Sequence, residues 1–235
     1  NRVLAGHLAC LHFAPTSVSR ENLLREGIPQ EQIIVTGNTV IDALLETAKT
    51  DFNLGIEIPK DKRIVLVTSH RRENFGQPIV NICKAILELI EKHEDIYVLF
   101  PVHPNPNVRE VTDRYLRGHE RIQLVSPFDY GPFVTAMKSA YLILTDSGGV
   151  QEEAPALGKP VLVLRRDTER PEAVTEGVVR LIGTETIDIV REASQLLSDK
   201  VAYDKMAIGA SPYGDGNASK RIVEIVRNYF NSKQI

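Results

Sequence analysis

From Arg63 onward the chain alternates between two patterns. "RIVLVTS", "IYVLFPV", "RIQLVSP", "YLILTD", "PVLVL" and "VVRLIG" are short apolar runs. The first is continuous and β-branched, the pattern of a strand buried on both faces. Between the runs the period changes. Ile79, Ile82, Ile86, Leu89 and Ile90 recur at helical spacing, as do Val108, Val111, Tyr115 and Leu116. "GPFVTAMKSA" reads as a short helix with proline near its start, where a missing N–H costs nothing. Further helices are expected near 186–198 and 200–207, and a last one from about Ala218 to Asn231. Parallel strands joined by crossover helices satisfy this alternation. The expected fold is therefore a doubly wound, Rossmann-like α/β domain.

The segment before Arg63 is less regular. A short strand is expected around Leu11–Ala14, a helix near Ser17–Glu26 and an extended run over Gln32–Thr36, closing with "GNTVIDALL". Residues 48–62, "AKTDFNLGIEIPKDK", are polar, marked by glycine and proline, and without period; they read as a linker. The expected division is 1–47, a linker at 48–62, and a Rossmann-like domain over 63–235 whose last helix crosses back.

Totals narrow the function classes. The 235 residues are 43% hydrophobic and 25% charged, with net charge -3, a globular composition. That balance gives no global attraction for nucleic acid or an anionic membrane. No apolar run reaches membrane-spanning length and no signal peptide is visible, so the cytoplasm is the expected location. Cys10 and Cys83 are the only cysteines, which argues against a disulfide framework or a cysteine metal site. His7, His12, His93 and His119 lack metal-ligand spacing.

In doubly wound sheets, ligands bind beyond the carboxyl ends of the strands. The loops there read "SHRRENFG", "HPNPN", "SPFDYGPF", "DSGGVQEE" and "RRDTERPEA". They concentrate His, Arg, Glu, Ser and Gly on one rim. Ser147, Gly148 and Gly149 lie between a strand end and a helix start, where free N–H groups and the positive helix end attract an anion. Glycine lets a phosphate approach, and Glu153, one turn further, is placed to accept from a ribose diol. A tight strand-to-helix turn with ordinary first-turn acids fits the same residues. In "HRREN", His70 and a guanidinium suit a diphosphate, or the loop is a solvated one with its own Arg–Glu pair. Arg170 lies between two glutamates and reads as a ligand clamp or an exposed ion pair. His103 and Phe133 face the same choice between ligand contact and packing. No Walker-type loop, GxGxxG fingerprint or nucleophile elbow is present. Together the loops point to a nucleotide diphosphate, most simply a nucleotide sugar.

"SHRRENFG", "PVHPNP", "TDSGGVQEEAPALGKPVLVLR", "TERPEA" and "SPYGDGNASKRI" resemble, in order and spacing, the non-hydrolysing UDP-N-acetylglucosamine 2-epimerases. "NRVLAGHLACLHFAPTSVSRENLLREGI" and "VTGNTVIDALL" look like that family too. The resemblance implies a two-domain glycosyltransferase-B-type fold with substrate in the cleft between domains. It implies interconversion of UDP-N-acetylglucosamine and UDP-N-acetylmannosamine without NAD or metal, through elimination of UDP to a glycal and its re-addition, for cell-surface polysaccharide precursors. His70 would be the catalytic or diphosphate-contacting histidine. Ser147, Gly148 and Gly149 would hold phosphate oxygens, Glu153 the ribose hydroxyls, Arg170 the UDP and Phe133 the uracil. Arg71 and His103 match contributors to a second, regulatory UDP-N-acetylglucosamine site. The family also implies a homodimer.

Two departures qualify the match. Ser211 stands where the family commonly shows asparagine, a conservative change in hydrogen bonding. The family's first Rossmann-like half, with the acidic residues proposed to move the C2 proton, is expected upstream of Asn1. The chain would then bind UDP but epimerise poorly by itself. An inverting UDP-sugar glycosyltransferase, a hydrolysing relative and a non-catalytic nucleotide-sugar-binding module are the rival readings.

Overall fold

Strands whose every residue is apolar need cover on both sides, and the chain supplies it. The computed structural model describes residues 2–209 and 211–232. Residues 1, 210 and 233–235, which the sequence-based domain bounds include, lie outside them. The described residues form two compact units, one of 2–47 with 211–232, the other of 48–209.

In the first unit, α1 (Arg2–Leu8) precedes β1 (His12–Ala14), α2 (Ser17–Arg25), β2 (Ile33–Val35) and α3 (Thr39–Thr47). β1 and β2 pair in parallel, with His12 opposite Ile33. Thr16 caps α2 by accepting from the Ser19 N–H. α11 (Ala218–Ser232) packs beside α3. Asp42 on α3 caps it from far away in sequence, accepting from the N–H groups of Ala218 at 3.1 Å and Ser219 at 2.8 Å. The "VTGNTV" and "SPYGDG" segments meet here. Asn38 N–H donates to the Tyr213 carbonyl, and a Cβ on Gly37, whose φ is +89°, would lie 3.4 Å from the Cα of Gly214. Ser211 Oγ accepts from the Tyr213 N–H, so the serine does the local hydrogen bonding expected of it.

The second unit contains β3 (Arg63–Thr68), α4 (Gln77–Lys92), β4 (Ile96–Pro101), α5 (Pro106–Leu116), β5 (Ile122–Val125), α6 (Tyr130–Ser139) and β6 (Ala140–Thr145). Then come α7 (Gly148–Ala156), β7 (Val161–Val163), α8 (Pro171–Thr175), β8 (Val179–Leu181), α9 (Thr186–Ser198) and α10 (Lys200–Met206). All neighbouring strands are parallel, in the order β5-β4-β3-β6-β7-β8. Val65, Val67, Val98, Phe100, Leu142 and Leu144 join one buried cluster with Ile79, Ile82, Ile86 and Leu89 of α4 and Ile189 and Leu196 of α9. Alternate residues of the same strands, such as Leu66, Leu99 and Ile143, are buried too, as are Val134 and Met137 of α6. Both faces are therefore covered, as the continuous apolar runs require. This is the doubly wound, Rossmann-like α/β fold that the alternation predicts.

Residues 48–62 hold little regular structure, yet they belong to the second unit. Phe52 N–H donates to Thr135 Oγ1, and Lys138 bonds the Ala48 carbonyl and Asp51. The Phe52 ring lies so close to Gly131 that a Cβ there would be 2.8 Å from it, which explains glycine inside α6.

Candidate functional site

The strand order reverses direction between β3 and β6, the topological switch point of the sheet. The loops that leave these two strands are "SHRREN" and "DSGG". Hydroxyls of the two terminal strand residues, Thr68 and Thr145, bond at 2.6 Å. Immediately beyond, Asp146 becomes fully buried and ties the loops together. It accepts from Ser69 Oγ at 3.0 Å, from the N–H groups of His70 and Arg71 at 2.9 Å each, and from Asn74 Nδ2 at 2.9 Å. The His70 ring Nδ1 is 3.1 Å from its other oxygen. Burial opposes ionisation of Asp146, but the bonds from the His70 ring and the Arg71 and His70 N–H groups outweigh it and hold the pKa below the ordinary carboxylate value.

A cleft of about 220 Å³ opens above this junction, lined by Thr68, Ser69, His70, Pro101, His103, Pro127, Phe128, Phe133, Ser147 and Val150. It brings together four of the residues singled out in the sequence: His70, His103, Phe133 and Ser147. The His70 and His103 rings stack with centroids 6.1 Å apart. Ser147 occupies the cap position of α7, so the first N–H groups of that helix lie at the cleft. A larger groove of about 710 Å³ lies between α4 and α9, lined in part by His93 and Ser194, away from the strand ends that build the switch point.

The paired glycines are not there for backbone conformation. Neither has a positive φ. Gly148 is buried, and a Cβ on it would lie 3.1 Å from Glu169 Oε1 and 3.5 Å from Arg71 Nη2. Gly149 is exposed, and a Cβ there would meet only Glu153 Oε2 at 3.8 Å and Ser147 Oγ at 3.9 Å, ordinary contacts. Protein packing accounts for the first glycine and leaves the second without a structural reason.

Glu153 and Arg170 do not line the cleft. Both α7 carboxylates are buried, and each takes a different partner. Glu153 accepts from the Tyr130 hydroxyl at 2.7 Å, whereas Arg170 Nε pairs with Glu152. Burial raises the pKa of Glu153, and the charge of Glu152 adds to this, against the lowering effect of the Tyr130 bond. Arg71 is held by Glu169 at 2.7 Å. Glu169 also accepts from the buried Arg165, at 2.7 Å, and Arg165 reaches Glu73 at 2.7 Å. Burial opposes the charge on Glu169, but Arg165, its own backbone and Arg71 together hold its pKa down at about 2. The alternative reading of "HRREN", a loop with its own Arg–Glu pair, gives way to a longer link, with Glu73 bound to Arg165 after β7.

Asp146, Tyr130, Asn74 and Arg165 were not singled out by their sequence context. Asp146 carries a signal of a sort, as an acid directly after an apolar strand, a position that can reach the neighbouring strand end. The partner of Tyr130, and Glu73 among the partners of Arg165, lie too far along the chain to be inferred from spacing.

The fold agrees with comparisons to known proteins. The family model for UDP-N-acetylglucosamine 2-epimerase matches residues 1–227. A UDP-N-acetylglucosamine 2-epimerase from Yersinia pestis is 52% identical over 239 residues, covering 97% of this chain and 64% of that protein. The chain therefore spans less than two thirds of the length of this curated relative. The crystal structure of UDP-GlcNAc 2-epimerase from Neisseria meningitidis bound to UDP-GlcNAc superposes with TM-score 0.89 at 47% identity, covering 97% of this chain and 64% of that one. The S. aureus MnaA structure with UDP gives TM-score 0.90 at 46% identity, with coverages of 98% and 64%. The described residues contain no helix long and apolar enough to cross a membrane. By the family match over nearly its whole length, the chain belongs to the UDP-N-acetylglucosamine 2-epimerase family.

Proposed function

We propose that the cleft at the β3–β6 switch point binds the UDP moiety of UDP-N-acetylglucosamine, and that the binding serves C2 epimerisation to UDP-N-acetylmannosamine. The observation that carries this is the convergence of His70 and Ser147, at the start of α7, on one cleft. Helix N–H groups with no intrahelical partner are natural donors to phosphate oxygens. Gly149, exposed and unneeded by packing, leaves room for one to approach. His70 contacts the diphosphate and assists its departure, Phe133 lies against the uracil, Glu153 takes the ribose hydroxyls and Arg170 supports the UDP from its pair with Glu152. Arg71 and His103 are assigned to a second, regulatory UDP-N-acetylglucosamine. Their proximity to the first site supports this, since Arg71 is near Gly148 and His103 stacks on His70.

The reaction removes the C2 proton and breaks the C1–O bond, so that UDP leaves with the bonding pair and a glycal remains. A proton then adds to the opposite face of C2 while UDP re-forms the C1–O bond. No cofactor is consumed, because the pathway is redox-neutral. A C2 proton is weakly acidic, and a positioned base is worth roughly 10²–10⁴ in rate. We assign the C2 proton-transfer carboxylates to the part of the longer relatives that this chain does not span. Relatives solved with UDP-GlcNAc and with UDP support the choice of ligand. The proposed setting is a cytoplasmic homodimer that supplies precursors for cell-surface polysaccharide.

A proton NMR time course of UDP-N-acetylglucosamine with this chain in D2O tests the reading. Broadened uridine resonances with little or no product are expected. Rapid formation of C2-deuterated UDP-N-acetylmannosamine would refute the assignment of the base outside the chain. Free N-acetylmannosamine would establish a hydrolase, and sugar transfer to an added acceptor a glycosyltransferase. Unchanged uridine resonances would refute UDP binding.

A further inference from the structure

We propose that Asp146 is the positioning residue for His70: its carboxylate fixes the imidazole with the proton on Nδ1 and leaves Nε2 as the nitrogen available to a ligand in the cleft. The proposal rests on the assignment of His70 to the diphosphate, and it concerns how that histidine is prepared for the task.

The two oxygens of Asp146 have different surroundings. Oδ2 accepts from Ser69 Oγ, the His70 N–H, the Arg71 N–H and Asn74 Nδ2. Oδ1 faces the His70 backbone N–H at 3.1 Å and the ring Nδ1 at 3.1 Å. Apart from the ring nitrogen, whose role depends on its tautomer, each of these partners is a donor here. An ionised carboxylate can only accept. Surrounded by donors and without solvent, Asp146 keeps its charge, in line with its lowered pKa. The ring nitrogen beside it must therefore carry the proton. Neutral His70 is then the Nδ1–H form with a lone pair on Nε2, and protonated His70 gains a second donor at Nε2. Either way Nε2 can exchange a proton or a hydrogen bond with the cleft, while Nδ1 is committed to the protein. The same carboxylate anchors the backbone on both sides of the ring, so the loop and the tautomer have one origin. His103, stacked on His70, and Arg71, held by Glu169, are the other titratable groups at this end of the cleft.

Asp146→Asn isolates the effect of charge from that of shape. The crowd of donors at the Oδ2 position demands an oxygen, so the new NH2 takes the Oδ1 position. It donates to Nδ1, and the ring proton must move to Nε2. The test is a nitrogen-15 spectrum of the imidazoles of the 235-residue chain, above the histidine titration, with His70 assigned by its loss in His70→Gln. The wild type is expected to show His70 protonated on Nδ1, and Asp146→Asn to show it protonated on Nε2. UDP affinity of the variant is expected to fall roughly tenfold, the loss of one charge-assisted bond.

A wild-type spectrum with the proton on Nε2 overturns the proposal, and so does a folded Asp146→Asn whose tautomer does not change. A purely structural role would lower stability and leave the tautomer alone. Should Asp146→Asn fail to fold, the wild-type spectrum alone decides. If the wild type does not bind UDP, the functional reading fails, and the tautomer spectra still decide the role of Asp146.

Discussion

The hydroxyl of Tyr130 donates to Glu153 Oε1 at 2.7 Å, beside a second buried carboxylate, Glu152, that is neutralised by Arg170. Glu153 thus keeps a neutral hydrogen-bond partner but has no cationic one among the described residues. A buried acid with no cation beside it weakens the fold, and the proposed ribose hydroxyls would give it further donors.

That relationship gives opposite signs for stability and binding in Glu153→Gln. The folded-state pKa of Glu153 is raised, so its stability contribution is full below the ordinary carboxylate value and falls as pH rises through the folded value. At neutral pH, Glu153→Gln is expected to raise the Tm of the unliganded chain. The gain should shrink in acid. UDP affinity should fall roughly tenfold with the loss of a charged acceptor. Calorimetric melts across pH, with UDP titrations, check both signs.

Gly149→Ala separates packing from ligand approach. Its Cβ would meet only ordinary contacts, and alanine in a helix gains about 0.5–1 kcal/mol over glycine. Unliganded stability is expected to hold or rise. UDP binding is expected to weaken at least roughly tenfold, because the methyl group occupies the phosphate approach to the α7 start. Urea unfolding and isothermal titration measure the two. Gly148→Ala serves as the contrast, since its methyl would press on Glu169 3.1 Å away and disturb the Arg71–Glu169–Arg165 chain.

Glu169 links Arg71 to Arg165, and these two guanidinium groups help hold its folded-state pKa at about 2, well below the ordinary carboxylate value. A depressed acid contributes stability that is full above the unfolded value and is lost as pH falls through the folded one. Wild type and Glu169→Gln should therefore differ most in urea midpoint above about pH 4.5 and converge as pH approaches 2. A constant difference across that window would show that Glu169 acts through packing.

Asp42→Ala removes the cap of α11. The N–H groups of Ala218 and Ser219 lose their acceptor, and stability should drop by about 1 kcal/mol. Hydrogen exchange should rise first in the opening turn of α11.

The parts of the fold legible in the sequence are those where burial imposes a period. β3, β4 and β6 lie within a residue or so of their apolar runs, because both faces of each strand need cover. α4 follows its Ile79–Ile90 stripe for the same reason. α1 buries no residue and carries no stripe, so no period marks it in the sequence. The five-residue α8 is indistinguishable in sequence from the "RRDTERPEA" loop, being too short for a period to show. The site was legible as a set of loops on one rim, since strand ends gather in any parallel sheet. Its wiring was not. Glu73 pairs with Arg165 across 92 residues, and Tyr130 with Glu153 across 23, by contacts that only the sheet order creates. Asp146 was visible within "DSGGVQEE", but its partners at Ser69, His70 and Asn74 become neighbours only because β6 lies beside β3.

A titration of the isotope-labelled chain with UDP, followed by amide nitrogen–proton correlation spectra, tests the central claim most directly. Saturable shifts are predicted for Ser147, Gly148, Gly149, His70 and Arg71, with Phe133 shifting in parallel. The amides of His93 and Ser194, in the larger groove between α4 and α9, should stay still. Shifts confined to that groove, or no saturable shift at the starts of the β3 and β6 loops, would contradict a UDP site at the switch point.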